Sequence, residues 1–229
     1  MLEFIANVGQ ITDIKSTKLL LKFAKESGFN FAKFDAISLP DAFDSLAITG
    51  ESSSSLVMAS DYKDIFKYAN YLGISLYASC YDYDAVDMAS RHTYICEIPV
   101  EKINDREFIR YVSERFQYVI IRTDNCDLDL IEELYYSFGP HLIMFEPVNT
   151  KDKLSGLTQI KLGNLYTGYS DNNDNPIQTI VAATQGVSYI EKPVTLDRNL
   201  FGNTRTRDVI EPTQFKTFID KVKYARSLI

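Results

Sequence analysis

Short apolar runs alternate along the chain with longer stretches whose apolar positions recur every three or four residues. Residues 3–8 read as a strand. Residues 15–27 read as a helix, with Leu19, Leu20, Phe23 and Ala24 on one face and Gly28 as its stop. Strand 30–36 follows, then a polar stretch containing the run Gly50-Glu51-Ser52-Ser53-Ser54-Ser55. A helix at 61–72 has Asp61 as its expected N-cap and Gly73 as its end. The rhythm continues through strand 74–79, helix 84–90, strand 93–98, helix 105–116, strand 118–123, helix 128–138 and strand 141–145. Residues 149–164 are weakly patterned and lack a full helix, after which come strand 165–169, helix 176–185, strand 187–191 and helix 213–227.

Eight strands, each followed by a helix or its remnant, imply parallel pairing and a (β/α)8 TIM barrel, shortened and irregular around the sixth helix. A doubly wound open sheet also alternates, but eight repeats in 229 residues favour closure. No glycine-rich GxGxxG or Walker sequence follows any strand, so a nucleotide-binding fold has no positive support. No linker or composition break interrupts the chain, and residues 1–229 are expected to form a single domain.

Composition adds exclusions. With 45% hydrophobic residues the chain can bury a core, which rules out a disordered tail. The 24 Lys and Arg against 31 Asp and Glu give a net charge of -7, which argues against a nucleic-acid partner. Cys80, Cys96 and Cys126 are widely spaced, without a CxxC pair, and read as thiols of a reducing compartment. No apolar run is long enough to span a membrane, and no signal peptide is apparent at Met1–Ala6. A cytoplasmic protein with no membrane partner is the expectation.

In such a barrel, chemistry gathers at the carboxyl ends of the strands. Those ends carry Asn7, Lys33 and Asp35, Tyr81-Asp82, Glu97 and Glu101, Arg122 and Asp124, Glu146, Ser170-Asp171, and Glu191-Lys192. Lys33, Arg122 and Lys192 could balance a phosphate or carboxylate, with the Ser170 hydroxyl as a further donor. The competing reading of each is a salt bridge that ties one strand to its neighbour. The 15 tyrosines and 14 phenylalanines suit packing better than a carbohydrate platform, with Tyr81–Tyr83 and Tyr135-Tyr136 as the ones to watch for exposure.

These residues also carry a resemblance. Gly168-Tyr169-Ser170-Asp171, then Ala182-Ala183 and Gly186, then Ile190-Glu191-Lys192-Pro193-Val194-Thr195-Leu196-Asp197-Arg198 resemble the closing third of the sialic acid synthase family, whose pattern reads GYSDHT and IEKHFTLDR. Glu211-Pro212 matches the start of that family's last helix. At the front, Phe4–Gly9 resembles IAEIG, Ala32-Lys33-Phe34-Asp35 resembles VKFQ, and Glu101–Asn104 resembles EITN. Tyr81-Asp82 and Ala85-Val86-Asp87 resemble the family's FD and SVD.

The resemblance implies condensation of phosphoenolpyruvate with an N-acyl amino sugar, a divalent metal polarising the sugar's aldehyde. By match, Lys33 and Ser170 would hold phosphoenolpyruvate and Glu191 would sit near the metal and the reacting carbon. Glu146-Pro147 corresponds to the family's Glu-Tyr-Pro. The expected catalytic residues are therefore Glu191 and Glu146, and the expected substrate-binding residues are Lys33, Ser170, Arg122, Lys192 and Asp82.

The departures are equally specific. The family's two metal-binding histidines fall at Asn172 and Pro193, and the chain's own His92 and His141 fall at neither place. Proline offers no ligand, and an amide oxygen is a poor substitute for imidazole. The first-strand glutamate is Asn7, the glutamine after the phosphate lysine is Asp35, and the serine of the STG turn is Arg122. The GPDH sequence becomes Gly202-Asn203-Thr204-Arg205, and the expectation is a barrel without the family's C-terminal antifreeze-like lid.

No metal ligand is assigned. Mg or Mn is expected only if Asp35, Glu146, Asp171 and Glu191 assemble an acidic site. The expectation is a divergent barrel linked to nonulosonic acid biosynthesis, with the parent condensation impaired. It would bind a small ligand of the phosphoenolpyruvate or sugar-acid type, or a partner synthase, and dimerisation carries over only weakly. An active synthase with a rearranged acidic metal site and another phosphosugar enzyme on the same barrel remain as alternatives.

Overall fold

The computed structural model describes residues 2–10, 13–37, 59–122, 128–138, 142–147, 166–172, 176–198 and 209–229. The runs at 50–55, 149–164 and 202–205, with Asp124, Cys126 and His141, lie outside the described residues. Eight parallel strands close into a barrel in sequence order, β1 (Glu3–Gln10), β2 (Phe31–Ala36), β3 (Ser75–Cys80), β4 (Ile95–Ile98), β5 (Tyr118–Arg122), β6 (Leu142–Pro147), β7 (Tyr166–Ser170) and β8 (Tyr189–Pro193). The described helices are α1 (Ile14–Ser27), α2 (Ala59–Leu72), α3 (Tyr83–Ala89), α4 (Arg106–Ser113), α5 (Leu128–Phe138), α6 (Ile177–Thr184) and α7 (Pro212–Ser227). The expected TIM barrel is the architecture found. Among the described residues, no helix is long and apolar enough to cross a membrane.

Local chemistry explains the helix boundaries. The carboxylates of Asp13, Asp82 and Asp105 accept the backbone amides of Ser16, Ala85 and Phe108, each satisfying a donor that the first turn leaves open. At the other end of α1, Gly28 has φ of 105°, a conformation glycine adopts without the Cβ penalty. Helix α2 begins at Ala59, so Asp61 lies inside its first turn and is not the cap. Strand β8 runs on to Pro193, where the missing amide falls at the strand's end beside Asn7 of β1.

The period-two alternation of the strands sorts side chains into two compartments. Phe4, Ala32, Phe34, Cys96, Ile98, Ile121, Tyr169 and Ile190 face outward into the core shared with the helices. There Phe4 and Phe29 meet Phe218 and Phe215 of α7 edge-to-face. Inside the barrel, Ile5, Tyr77, Ile95 and Ile120 pack with Phe31, Tyr118 and Tyr189 as an apolar floor. Polar side chains take over above that floor, toward the carboxyl ends of the strands.

Candidate functional site

Polar side chains from several strands turn inward to form this upper layer. Strand β2 turns Lys33 inward because its neighbours Ala32 and Phe34 are committed to the outer core, and the same alternation turns in Glu97, Arg122, Ser170 and Glu191. The Lys33 ammonium is 2% exposed and lies 2.9 Å from Glu97 Oε1, 3.6 Å from Glu191 Oε1 and 3.7 Å from Asp35 Oδ1. Arg122 Nη1 lies 3.5 Å from Glu191 Oε1 and 4.0 Å from Glu97 Oε1, while its Nη2 donates to Ser170 Oγ at 3.2 Å. Glu191 Oε1 also accepts from Asn7 Nδ2 at 2.9 Å and from Ser170 Oγ at 3.2 Å.

The charges set one another's protonation. Burial alone would push the Lys33 ammonium down, but Glu191, Glu97 and Asp35 together hold it above the ordinary lysine value. Burial would raise Glu191, yet Lys33, Arg122 and the hydrogen bonds from Asn7 and Ser170 hold it below the ordinary glutamate value. Glu97 goes the other way. Its burial and the nearby Glu191 charge hold it above that value despite Lys33 and Arg122. Among the described residues, the Tyr77 hydroxyl, Ser79 Oγ, Glu97 Oε2 and Glu191 Oε2 are buried in this interior without a hydrogen-bond partner. Ser79 stands beside Asp35 on one side and Glu97 on the other in the sheet register.

The structure therefore brings Lys33, Arg122, Ser170 and Glu191 together. Lys192 it sends the other way, and Asp82 it sets at the start of α3. Lys192 follows Glu191 and so points outward, where its ammonium lies 3.2 Å from Asp171 Oδ2 and 5.9 Å from the Phe218 ring centre. Asp171 faces the same way and accepts from the Thr179 hydroxyl of α6. Asp82 caps α3 through a 2.8 Å bond from the Ala85 amide. Replacing Asp82 with alanine is expected to lower stability by about 1 kcal/mol, read as a drop in the midpoint of urea unfolding.

Of the carboxylates considered for magnesium, Asp35 and Glu191 both approach the Lys33 ammonium, whereas Asp171 lies on the opposite side of the barrel wall. The Glu146 side chain lies outside the described residues, although its backbone in β6 pairs with Tyr169 of β7. Among the described residues, no group of three or more His, Cys, Asp or Glu side chains is placed to hold a metal ion. His92 stacks on Phe66 in the turn after α3. Asn7, Tyr77, Ser79 and Glu97 complete the cluster, although the sequence assigned none of them a catalytic or substrate-binding role. Glu97 stands among the strand-end charges, but Tyr77 and Ser79 sit in an apolar run and carry no sequence signal of their own.

A model of the NeuB family matches residues 147–229. The N,N'-diacetyllegionaminic acid synthase of Campylobacter jejuni is 23% identical over 250 residues, covering 95% of this chain and 74% of the relative. The N-acetylneuraminic acid synthetase of Leptospira borgpetersenii, solved in complex with citrate, superposes with a TM-score of 0.86 at 17% identity, over 99% of this chain and 84% of that one. The DAHP synthase of Thermotoga maritima superposes at 0.78 with 12% identity, over 99% of this chain and 69% of that one. The resemblance to sialic acid synthases is borne out over most of the chain, and the TIM-barrel fold with it.

Proposed function

We propose that this barrel serves sugar biosynthesis of the nonulosonic acid type by binding a small phosphorylated or carboxylated precursor, with phosphoenolpyruvate as the candidate ligand. The observation that supports it is the meeting of Lys33, Arg122 and Ser170 inside the carboxyl end of the barrel. An ammonium, a guanidinium fork and a hydroxyl form a donor set suited to a carboxylate or phosphate. The similarity to a legionaminic acid synthase and to a sialic acid synthetase supports the pathway class.

In this reading the parent condensation is impaired. The described residues do not fit a transition-metal centre, because the positions that the resemblance gives to two histidines hold Asn172 and Pro193. Lys33 stands where Asp35, Glu97 and Glu191 converge, so a protein cation already balances the charge that a metal would otherwise balance. Glu191 is held by four neighbours and kept ionised, which suits it to orienting Lys33, Arg122 and Ser170 around the ligand.

The test is direct. Purified protein with phosphoenolpyruvate is expected to show a rise in melting temperature that needs no added metal. Phosphoenolpyruvate with N-acetylmannosamine, in the presence of Mg²⁺ or Mn²⁺, is expected to yield no nine-carbon sugar acid by mass spectrometry. Steady formation of that product would overturn the impaired-catalysis reading, and the lack of any thermal shift would overturn the binding reading.

A further inference from the structure

As it stands, the cluster does not favour an anion. Lys33 and Arg122 supply two positive charges, while Glu97 and Glu191 supply two negative ones and Asp35 adds a third at the rim. An incoming carboxylate or phosphate must therefore compete with a protein carboxylate. The competitor is identifiable by distance and by bonding. Lys33 lies nearest Glu97, at 2.9 Å, whereas Glu191 is fixed independently by Asn7, Ser170 and Arg122. Glu97 is fully buried, and among the described residues its second oxygen has no hydrogen-bond partner.

We infer that Glu97 is a built-in stand-in for the ligand, displaced from Lys33 when an anion binds and taking up one proton from solvent as it is displaced. The inference rests on the anion-binding reading of the Lys33, Arg122 and Ser170 site. A buried carboxylate stripped of its ammonium is costly in its charged form, and protonation removes that cost. The new O–H bond forms on the Glu97 carboxyl, and water or buffer supplies the proton. Burial and the Glu191 charge already bias Glu97 toward its protonated form. Among the described residues, the titratable groups that act with it are Lys33 and Asp35 on β2, Tyr77 and Cys80 on β3, Tyr81 after β3, Arg122 on β5 and Glu191 on β8.

A purely structural Glu97, tying β4 to β2, would affect stability alone. Isothermal titration separates the two roles, with phosphoenolpyruvate and sulfate injected at pH 7.5 in buffers of different ionisation enthalpy. Sulfate has no proton to lose in this range, so any uptake belongs to the protein. The expected result is uptake of about one proton per anion by the wild type, and near zero for Glu97→Gln. The glutamine variant should bind about tenfold tighter or more, the scale of one lost charge-assisted competitor.

Wild-type binding without proton uptake, together with unchanged affinity in Glu97→Gln, overturns the inference and leaves the anion site standing. Absence of binding of both anions by both proteins overturns the anion site, and the inference with it. Should the glutamine variant fail to fold, the wild-type proton count decides by itself.

Discussion

Replacing Lys33 with methionine is expected to abolish phosphoenolpyruvate binding and to destabilise the fold by about 3–5 kcal/mol at neutral pH. The methionine side chain nearly matches lysine in length but leaves no charge at a position where only 2% of the residue meets solvent. Glu97 and Glu191 would then share one barrel interior with Arg122 as the remaining close cation among the described residues. Removing one partner of a buried charge cluster exposes the desolvation cost of the others, which is why the effect exceeds that of a surface ion pair. Glu97 is the group that gives way, since its pKa already sits above the ordinary glutamate value. The double variant Lys33→Met/Glu97→Gln, which removes the orphaned charge, should recover a large part of the lost stability without recovering ligand binding. Urea unfolding of the three proteins at pH 7.5 measures this. A single variant within about 1 kcal/mol of wild type would contradict the interdependence of these charges.

Much of the barrel was legible in the sequence. Short apolar runs marked all eight strands, and the bounds of α5 at Leu128–Phe138 coincide with its apolar periodicity. The errors at other ends have physical causes. The expected strand ending at residue 191 stops short of Pro193 because a proline and a lysine do not look like strand residues, although both fit at a strand's rim. The site was legible where charge interrupts an apolar strand, as at Lys33, Arg122 and Glu191. It was illegible where facing decides the role. Glu191 and Lys192 are neighbours in sequence, yet the pleat sends one into the barrel and the other to Asp171 and Phe218. Asp82 has the residue type of a ligand contact, but its position three residues before the Ala85 amide makes it a helix cap. Glu97 shows the complementary failure. A glutamate in the strand run Ile95–Ile98 reads as a strand-end charge, and only closure of the barrel reveals that it lies against Lys33 from two strands away.

Glu191→Gln carries the other large effect, about 3 kcal/mol of lost stability at pH 7, and its pH dependence identifies the cause. The amide oxygen of glutamine can still accept from Asn7 and Ser170, so the hydrogen-bond framework survives in part. The negative charge facing Lys33 and Arg122 does not survive. Burial works against the Glu191 carboxylate, but those two cations and the two hydrogen bonds hold its folded pKa below its unfolded value of about 4.3. A carboxylate so depressed contributes stability that is fully present above the unfolded pKa and is lost as the pH falls through the folded one. The wild type should therefore lose this contribution on acidification below about pH 4, while the glutamine variant has none to lose. The gap in unfolding free energy between the two proteins should be widest from pH 6 to 8 and should narrow as the pH falls below about 4. Urea titrations across that range test it. A gap that stays constant with pH would show that the lost stability comes from packing and hydrogen bonding alone, and not from the charge that Glu191 presents to Lys33 and Arg122.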